Sequence, residues 1–193
     1  PQHYAAATIA LDGVDYFPIE EPAAELARYR AGELQVTETI PAGRFAWLQE
    51  NLAADLRVHP YLGSFWLGLN LRHPALGRSR ELRQALSLAI NRDILVRTVL
   101  GAGDLPGWSV VPPGMSGYRP SAMTQSVLQQ EQREAEARRL FRASGAGQRE
   151  PLRLELRYNT SGVHRRIAVA VAAMWKEALG VETTLYAEEF RAL

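Results

Sequence analysis

A chain of 193 residues is long enough to bury a sizeable core, as one domain or a pair of small ones. Hydrophobic residues at 47% and charged ones at 22% exclude wholesale disorder, and a net charge of +1 gives no field to draw nucleic acid or an anionic membrane. With no cysteine there are no disulfides or thiolate metal sites, and no apolar run reaches the roughly 20 residues needed to cross a bilayer.

Of the 22 basic residues only Lys176 is a lysine, a bias that fits genome composition better than a site. The start, Pro1-Gln2-His3-Tyr4, lacks the basic, apolar and small-residue parts of a signal peptide. It carries no initiator Met, so the chain is expected to be part of something longer.

Ala6 to Leu11 is a short apolar run that reads as a buried strand. Glu25 to Ala31 carries Leu26 and Tyr29 at helical spacing, and Gly32 suits its left-handed stop. Leu34 to Ile40 reads as a strand. Pro41 suits the first turn of a helix with Phe45, Leu48 and Leu52 on one face. Ser64 to Asn70, bounded by Gly63, is apolar and aromatic and reads as a strand buried on both sides.

Ser79 caps a predicted helix whose inner stripe is Leu82, Ala85, Leu86, Ala89 and Ile90. Asn91 breaks it and caps a shorter helix with Ile94, Leu95 and Val99. Gly101 to Tyr118 is rich in Gly and Pro and too long for a simple turn, a length usually functional or mobile. Gln129 to Arg142 reads as a charged helix with Glu134 four residues before Arg138. Gly145 to Glu150 is a surface loop.

The last third is the clearest. Leu152, Leu154, Leu156 and Tyr158 alternate with Arg153, Glu155 and Arg157, the period of a strand with one buried face. Thr160 or Ser161 caps a helix through Val163, Ile167, Ala170, Val171, Met174 and Ala178, and Gly180 ends it. Val181 to Tyr186 is strand again, completing a strand–helix–strand unit. Glu188 to Leu193 reads as the first turn of another helix.

Chemistry is mostly missing. Gly114-Met115-Ser116-Gly117-Tyr118 falls short of a nucleophile elbow, since Tyr118 replaces the second Gly and Pro112-Pro113 stand where a strand should be. Ser116 reads as an ordinary loop serine. His3, His59, His73 and His164 lack the spacing of metal ligands. Gly101-Ala102-Gly103 follows a helix, not a strand, and reads as a helix stop and not a dinucleotide loop. By spacing alone Phe65-Trp66 reads as core packing, with a ligand wall as the alternative.

Several segments, in order, resemble the large extracytoplasmic solute-binding proteins of family 5, which deliver oligopeptides to ABC transporters. They are Ala24 to Thr37, with Arg28-Tyr29 and Gly32-Glu33-Leu34, and Val58 to Asn70. Arg83-Gln84-Ala85-Leu86-Ser87-Leu88-Ala89-Ile90-Asn91-Arg92 and Val111-Pro112-Pro113-Gly114 follow. Tyr158-Asn159-Thr160-Ser161, Met174-Trp175-Lys176 and Leu179-Gly180-Val181 are similar to the peptide-binding branch.

The resemblance implies an α/β fold, part of a two-lobe periplasmic binding protein of the class II type, with a mixed sheet flanked by helices. Residues 1–62 would end the first lobe and 63–193 would be the front part of the second, truncated. An extended peptide would lie in the cleft, and hinge closure would precede docking on a membrane permease. The implied location is the periplasm or another extracytoplasmic space, with a lipid anchor on the parent left open. Implied ligand-binding residues are Glu38, Tyr61, Phe65, Trp66, Gly68 and Asn70, with Trp66 ligand-facing; no cofactor, metal or catalytic residue is expected. Gly68 departs from members that carry a carboxylate there, which weakens any preference for basic peptide side chains. The acidic anchor for a peptide's amino terminus would lie beyond Leu193, so residues 1–193 alone are expected to bind weakly or not at all. Other ligands remain open: a dipeptide, a murein peptide or a nickel complex. So do an α/β hydrolase using Ser116 with a histidine and a docking domain.

Overall fold

The computed structural model describes residues 8–41, 43–59 and 61–189. The chain divides into two compact units, residues 1–39 and 40–193.

In the first unit, helix α1 (Pro22–Arg30) starts with proline in its first turn, where no N–H is needed. It ends in a Schellman motif: Gly32 N–H bonds the Tyr29 carbonyl at 2.9 Å, and Glu33 N–H bonds that of Arg28 at 3.0 Å. Gly32 takes a φ of +78°. Arg28 also pairs with Glu33 at 2.7 Å and lies over the Phe17 ring. The strand expected at Leu34 to Ile40 is not formed, and Val36 is exposed. The Glu38 N–H instead donates to the Glu25 carboxylate at 2.9 Å, so this backbone spends a donor on a side chain and not on a ladder. The strand expected at Ala6 to Leu11 is absent from Thr8 onward, and its first two residues lie outside the described ones.

In the second unit, helix α2 (Phe45–Asn51) begins four residues after Pro41, because Gly43 turns the chain with a φ of +73°. Leu48 is its buried residue. Helix α3 (Pro74–Arg78) is capped by His73, whose ring accepts from Leu76 N–H. Helix α4 (Arg80–Leu88) follows after Ser79, whose hydroxyl accepts from Leu82 N–H at 3.1 Å. Of the expected stripe Leu82, Ala85, Leu86 and Ala89 are buried and Ile90 is partly so, while Leu88, off that stripe, is buried as well. Asn91 caps α5 (Arg92–Ile94), which widens into a π-helical turn over Leu95–Leu100 and stops at Gly101 with a φ of +64°.

Helix α6 (Gln130–Ala143) packs on α4 through Ala137 and Leu140. Its expected pair, Glu134 with Arg138, is formed at 3.6 Å. Strands β1 (Arg153–Asn159) and β2 (Glu182–Glu188) run parallel, with Arg153 opposite Glu182 and Asn159 opposite Glu188. Helix α7 (Gly162–Leu179) joins them; Ser161 is its cap and Gly180 its left-handed end. The mixed sheet expected from the resemblance is, among the described residues, this two-stranded parallel one. Glu188, expected to open a further helix, closes β2, and Phe190 to Leu193 lie outside the described residues.

One core joins α4, α6, α7, β1 and Val181. Trp175 on α7, 3% exposed, sits in it and donates its indole N–H to the Leu86 carbonyl at 2.8 Å. The stripe expected on α7 held Ile167 and Val171 but not Trp175 or Ala168, which are also buried.

The strand expected at Ser64 to Asn70 is corrected by the structure. The segment has no strand partner among the described residues, and it is not buried: Phe65 is 58% and Trp66 72% exposed. Only Leu67 packs against the core. An apolar run demands cover, but the described residues do not supply it.

Two outcomes follow for stability. Trp175→Phe keeps most of the volume but orphans the Leu86 carbonyl, and should lower the unfolding free energy by about 1–3 kcal/mol in urea titration. Gly77→Ala should cost about 1–3 kcal/mol by the same measurement, because a Cβ there would run into the Leu71 carbonyl, which is backbone and cannot swing aside.

Candidate functional site

The segment 61–70 reads Tyr-Leu-Gly-Ser-Phe-Trp-Leu-Gly-Leu-Asn and carries no carboxylate, ammonium or guanidinium. Three aromatic rings project from it, with Tyr61 89% exposed beside Phe65 and Trp66. Two glycines make room for them. The Tyr61 ring folds against Gly63, at the point a Cβ would occupy. A Cβ on Gly68 would lie 3.2 Å from Trp66 Cζ3, tighter than an ordinary contact. Glycine at both positions therefore lets a large ring lie along the backbone.

Two further elements meet this segment. The Phe65 ring lies 5.1 Å from the His164 ring, tilted at 45°. His164 sits in the first turn of α7, where its N–H reaches the Ser161 hydroxyl at 3.4 Å and its Nδ1 contacts Asn159 Oδ1. Loss of solvent around the imidazole lowers its pKa below the ordinary histidine value, so it is neutral at pH 7. The second neighbour is Gly114, in the Gly101–Tyr118 loop. A Cβ on it would lie 3.8 Å from Leu62 Cδ2.

Five of the six expected site residues, Tyr61, Phe65, Trp66, Gly68 and Asn70, thus share one extended segment. Asn70 is the most engaged: its side chain accepts from Arg72 N–H at 3.0 Å and its carbonyl from His73 N–H at 3.1 Å, which turns the chain into α3. Glu38 belongs to the other unit and is exposed. Spacing missed His164, read as solvated. Its place three residues after Ser161 on a helix following β1 is the signal that puts it at the carboxyl end of that strand.

Ser116 lies exposed in a turn closed by Tyr118 N–H on the Met115 carbonyl at 3.2 Å, not on a strand-to-helix elbow. Among the described residues no group of three or more His, Cys, Asp or Glu is placed to hold a metal ion, and no helix is long and apolar enough to cross a membrane.

Known proteins match this chain throughout. The family described as bacterial extracellular solute-binding proteins, family 5 (middle), matches residues 1–193. The periplasmic murein peptide-binding protein MppA of Escherichia coli is 35% identical, over 96% of this chain and 34% of its own length. Its solved structure superposes with a TM-score of 0.85, covering 91% of this chain and 34% of that one. The periplasmic oligopeptide-binding protein OppA of Salmonella typhimurium is 34% identical, over 99% of this chain and 35% of its length. The probable deoxycholate-binding periplasmic protein YgiS of Escherichia coli is 30% identical, over 99% and 35%. The chain therefore spans about a third of the length of these relatives. The family is one of solute binders and not of enzymes, which removes the hydrolase alternative. The chain belongs to the bacterial extracellular solute-binding proteins of family 5, as a part matching two-lobe members of that family.

Proposed function

We propose that residues 1–193 are part of the substrate-binding component of an ABC transporter, one that captures oligopeptides outside the cytoplasm and hands them to a membrane permease. In this reading residues 1–62 close the first lobe of the full-length protein and 63–193 open the second. The ligand is held in the cleft between those lobes, in the periplasm of the cell. In the same reading Tyr61, Phe65, Trp66, Gly68 and Asn70 form one wall, and Glu38 is a further ligand-binding residue.

One observation carries the reading: a segment that joins no strand among the described residues and displays three exposed aromatic rings and no charge. Unpaired N–H and C=O groups are what an extended peptide needs to add itself as a further strand. Main-chain hydrogen bonds are the same for every peptide, and aromatic faces give contact area at low entropic cost to side chains of many shapes. Closure would exclude water and strengthen those bonds. With glycine at 68 this wall offers no carboxylate to favour lysine or arginine in the ligand.

The murein peptide and deoxycholate of the relatives' names mark the competing ligands. Mass spectrometry of small molecules released on denaturing the full-length protein separates them. A mixture of short peptides of varied sequence is expected. A single non-peptide solute such as a bile salt would overturn the peptide assignment, and a single murein peptide would overturn its breadth. Trp66→Ala in the full-length protein should weaken binding of trialanine about tenfold or more by calorimetry, as for a buried aromatic anchor.

A further inference from the structure

Trp108, at the middle of the Gly101–Tyr118 loop, is held more firmly than any loop residue needs to be. Two guanidinium groups lie over its ring, Arg92 at 4.2 Å and Arg133 at 4.7 Å from the centroid. Both cations are fixed by other partners. Arg92 donates to the Ser87 carbonyl at 2.9 Å, to the Ser87 hydroxyl at 3.0 Å and to the Gly107 carbonyl at 2.9 Å. Arg133 donates to the Leu128 carbonyl at 2.7 Å and to Gln130 Oε1 at 3.1 Å, and pairs with Asp93 at 3.4 Å. The Trp108 carbonyl in turn accepts from Met123 N–H at 2.9 Å. Ring and main chain are tied on both sides.

What the pin holds in place lies a few residues on. Ser109 hydroxyl bonds the Val111 carbonyl at 2.6 Å, and the chain then reaches Gly114, whose φ of +99° brings its backbone beside the Leu62 side chain. Leu62 adjoins Tyr61 on the aromatic segment and stands three residues before Phe65. A continuous path of contacts therefore runs from the two arginines through Trp108 and Gly114 to the back of that segment.

We propose that Trp108, stacked with Arg92 and Arg133, is a positioning residue for the ligand wall at 61–70, acting through Gly114 on Leu62. The proposal rests on the reading of that segment as a peptide-binding wall. The ring offers one aromatic surface to both cations, of which Arg133 pairs with Asp93. Replacement by an aliphatic side chain of similar volume therefore removes a function that packing area cannot restore, whereas another aromatic ring can.

The test uses the full-length protein labelled with 5-fluorotryptophan, with the Trp66 resonance assigned by Trp66→Phe, and trialanine as the binding probe. Trp108→Leu should shift and broaden the Trp66 resonance in the absence of peptide, leave the core Trp175 resonance in place, and weaken trialanine binding about five- to tenfold. Trp108→Phe should restore both readouts. If Trp108→Leu does not fold, Arg92→Lys keeps the charge but loses the planar stacking face, and should move Trp66 in the same sense. An unmoved Trp66 resonance, a Trp108→Phe protein no better than Trp108→Leu, or a displaced Trp175 resonance would each overturn the assignment. A parent that ignores trialanine while Trp66 still responds to Trp108→Leu supports the positioning link and counts against the peptide reading alone.

Discussion

The carboxyl end of α4 is the constraint on which the second unit depends. A helix leaves its last carbonyls without intrahelical partners, and in a buried helix those groups must be met from elsewhere. Ala89 N–H takes the Ala85 carbonyl at 3.0 Å. The next carbonyl, of Leu86, receives the indole N–H of Trp175 from α7. The Ser87 carbonyl receives Arg92. One helix end thus fixes α7, which carries the β1–β2 crossover, and also Arg92, which carries the loop. The position suits a cation, because the negative end of the helix dipole lies there.

Arg92 shows what that arrangement costs. Burial first, and then the neighbouring Arg133, lowers its pKa to about 10, so it stays charged at neutral pH but is less at ease than a solvated arginine. Arg133 is only 5% exposed, with one carboxylate near it. Two poorly solvated cations with a single partial counter-charge would repel one another. The Trp108 ring offers its electron-rich surface to both, and carbonyl and hydroxyl oxygens take up their N–H groups. Polar groups satisfied in this way specify one geometry, since few other arrangements meet every donor at once.

Most of the regular structure was legible in the sequence because its period reports its own burial. Leu154 and Leu156 face the core, Arg153 and Arg157 face out, and the stripe of Leu82, Ala85 and Leu86 is where the helical spacing puts it. Caps at Ser79, Asn91 and Ser161 and the stop at Gly180 were readable for the same reason: they are local chemistry. Illegible were the features settled between distant residues. Arg133 is buried in a helix that reads as charged all round, because Trp108 and Asp93 come to it from elsewhere. The segment 64–70 looks like a core strand by composition, yet its rings are exposed. Nothing in a run of apolar residues says which surface will cover it. Its place as a candidate ligand wall came from resemblance; spacing alone favoured core packing.

The aromatic wall and the glycine beside it are physically linked. In the proposed reading, a carboxylate side chain at position 68 would add a charge-selective contact, but it would also bring a Cβ against the Trp66 ring. Glycine there does two things at once: it carries no charge and lets the indole lie along the backbone. A ring that rests against backbone has fewer rotamers to lose when a ligand arrives, so its contact area is gained at little entropic cost. In that reading a wall built this way would recognise extent and shape more than charge. His164, neutral beside Phe65, would not alter that at pH 7. Breadth of recognition would then follow from what the wall lacks as much as from what it presents.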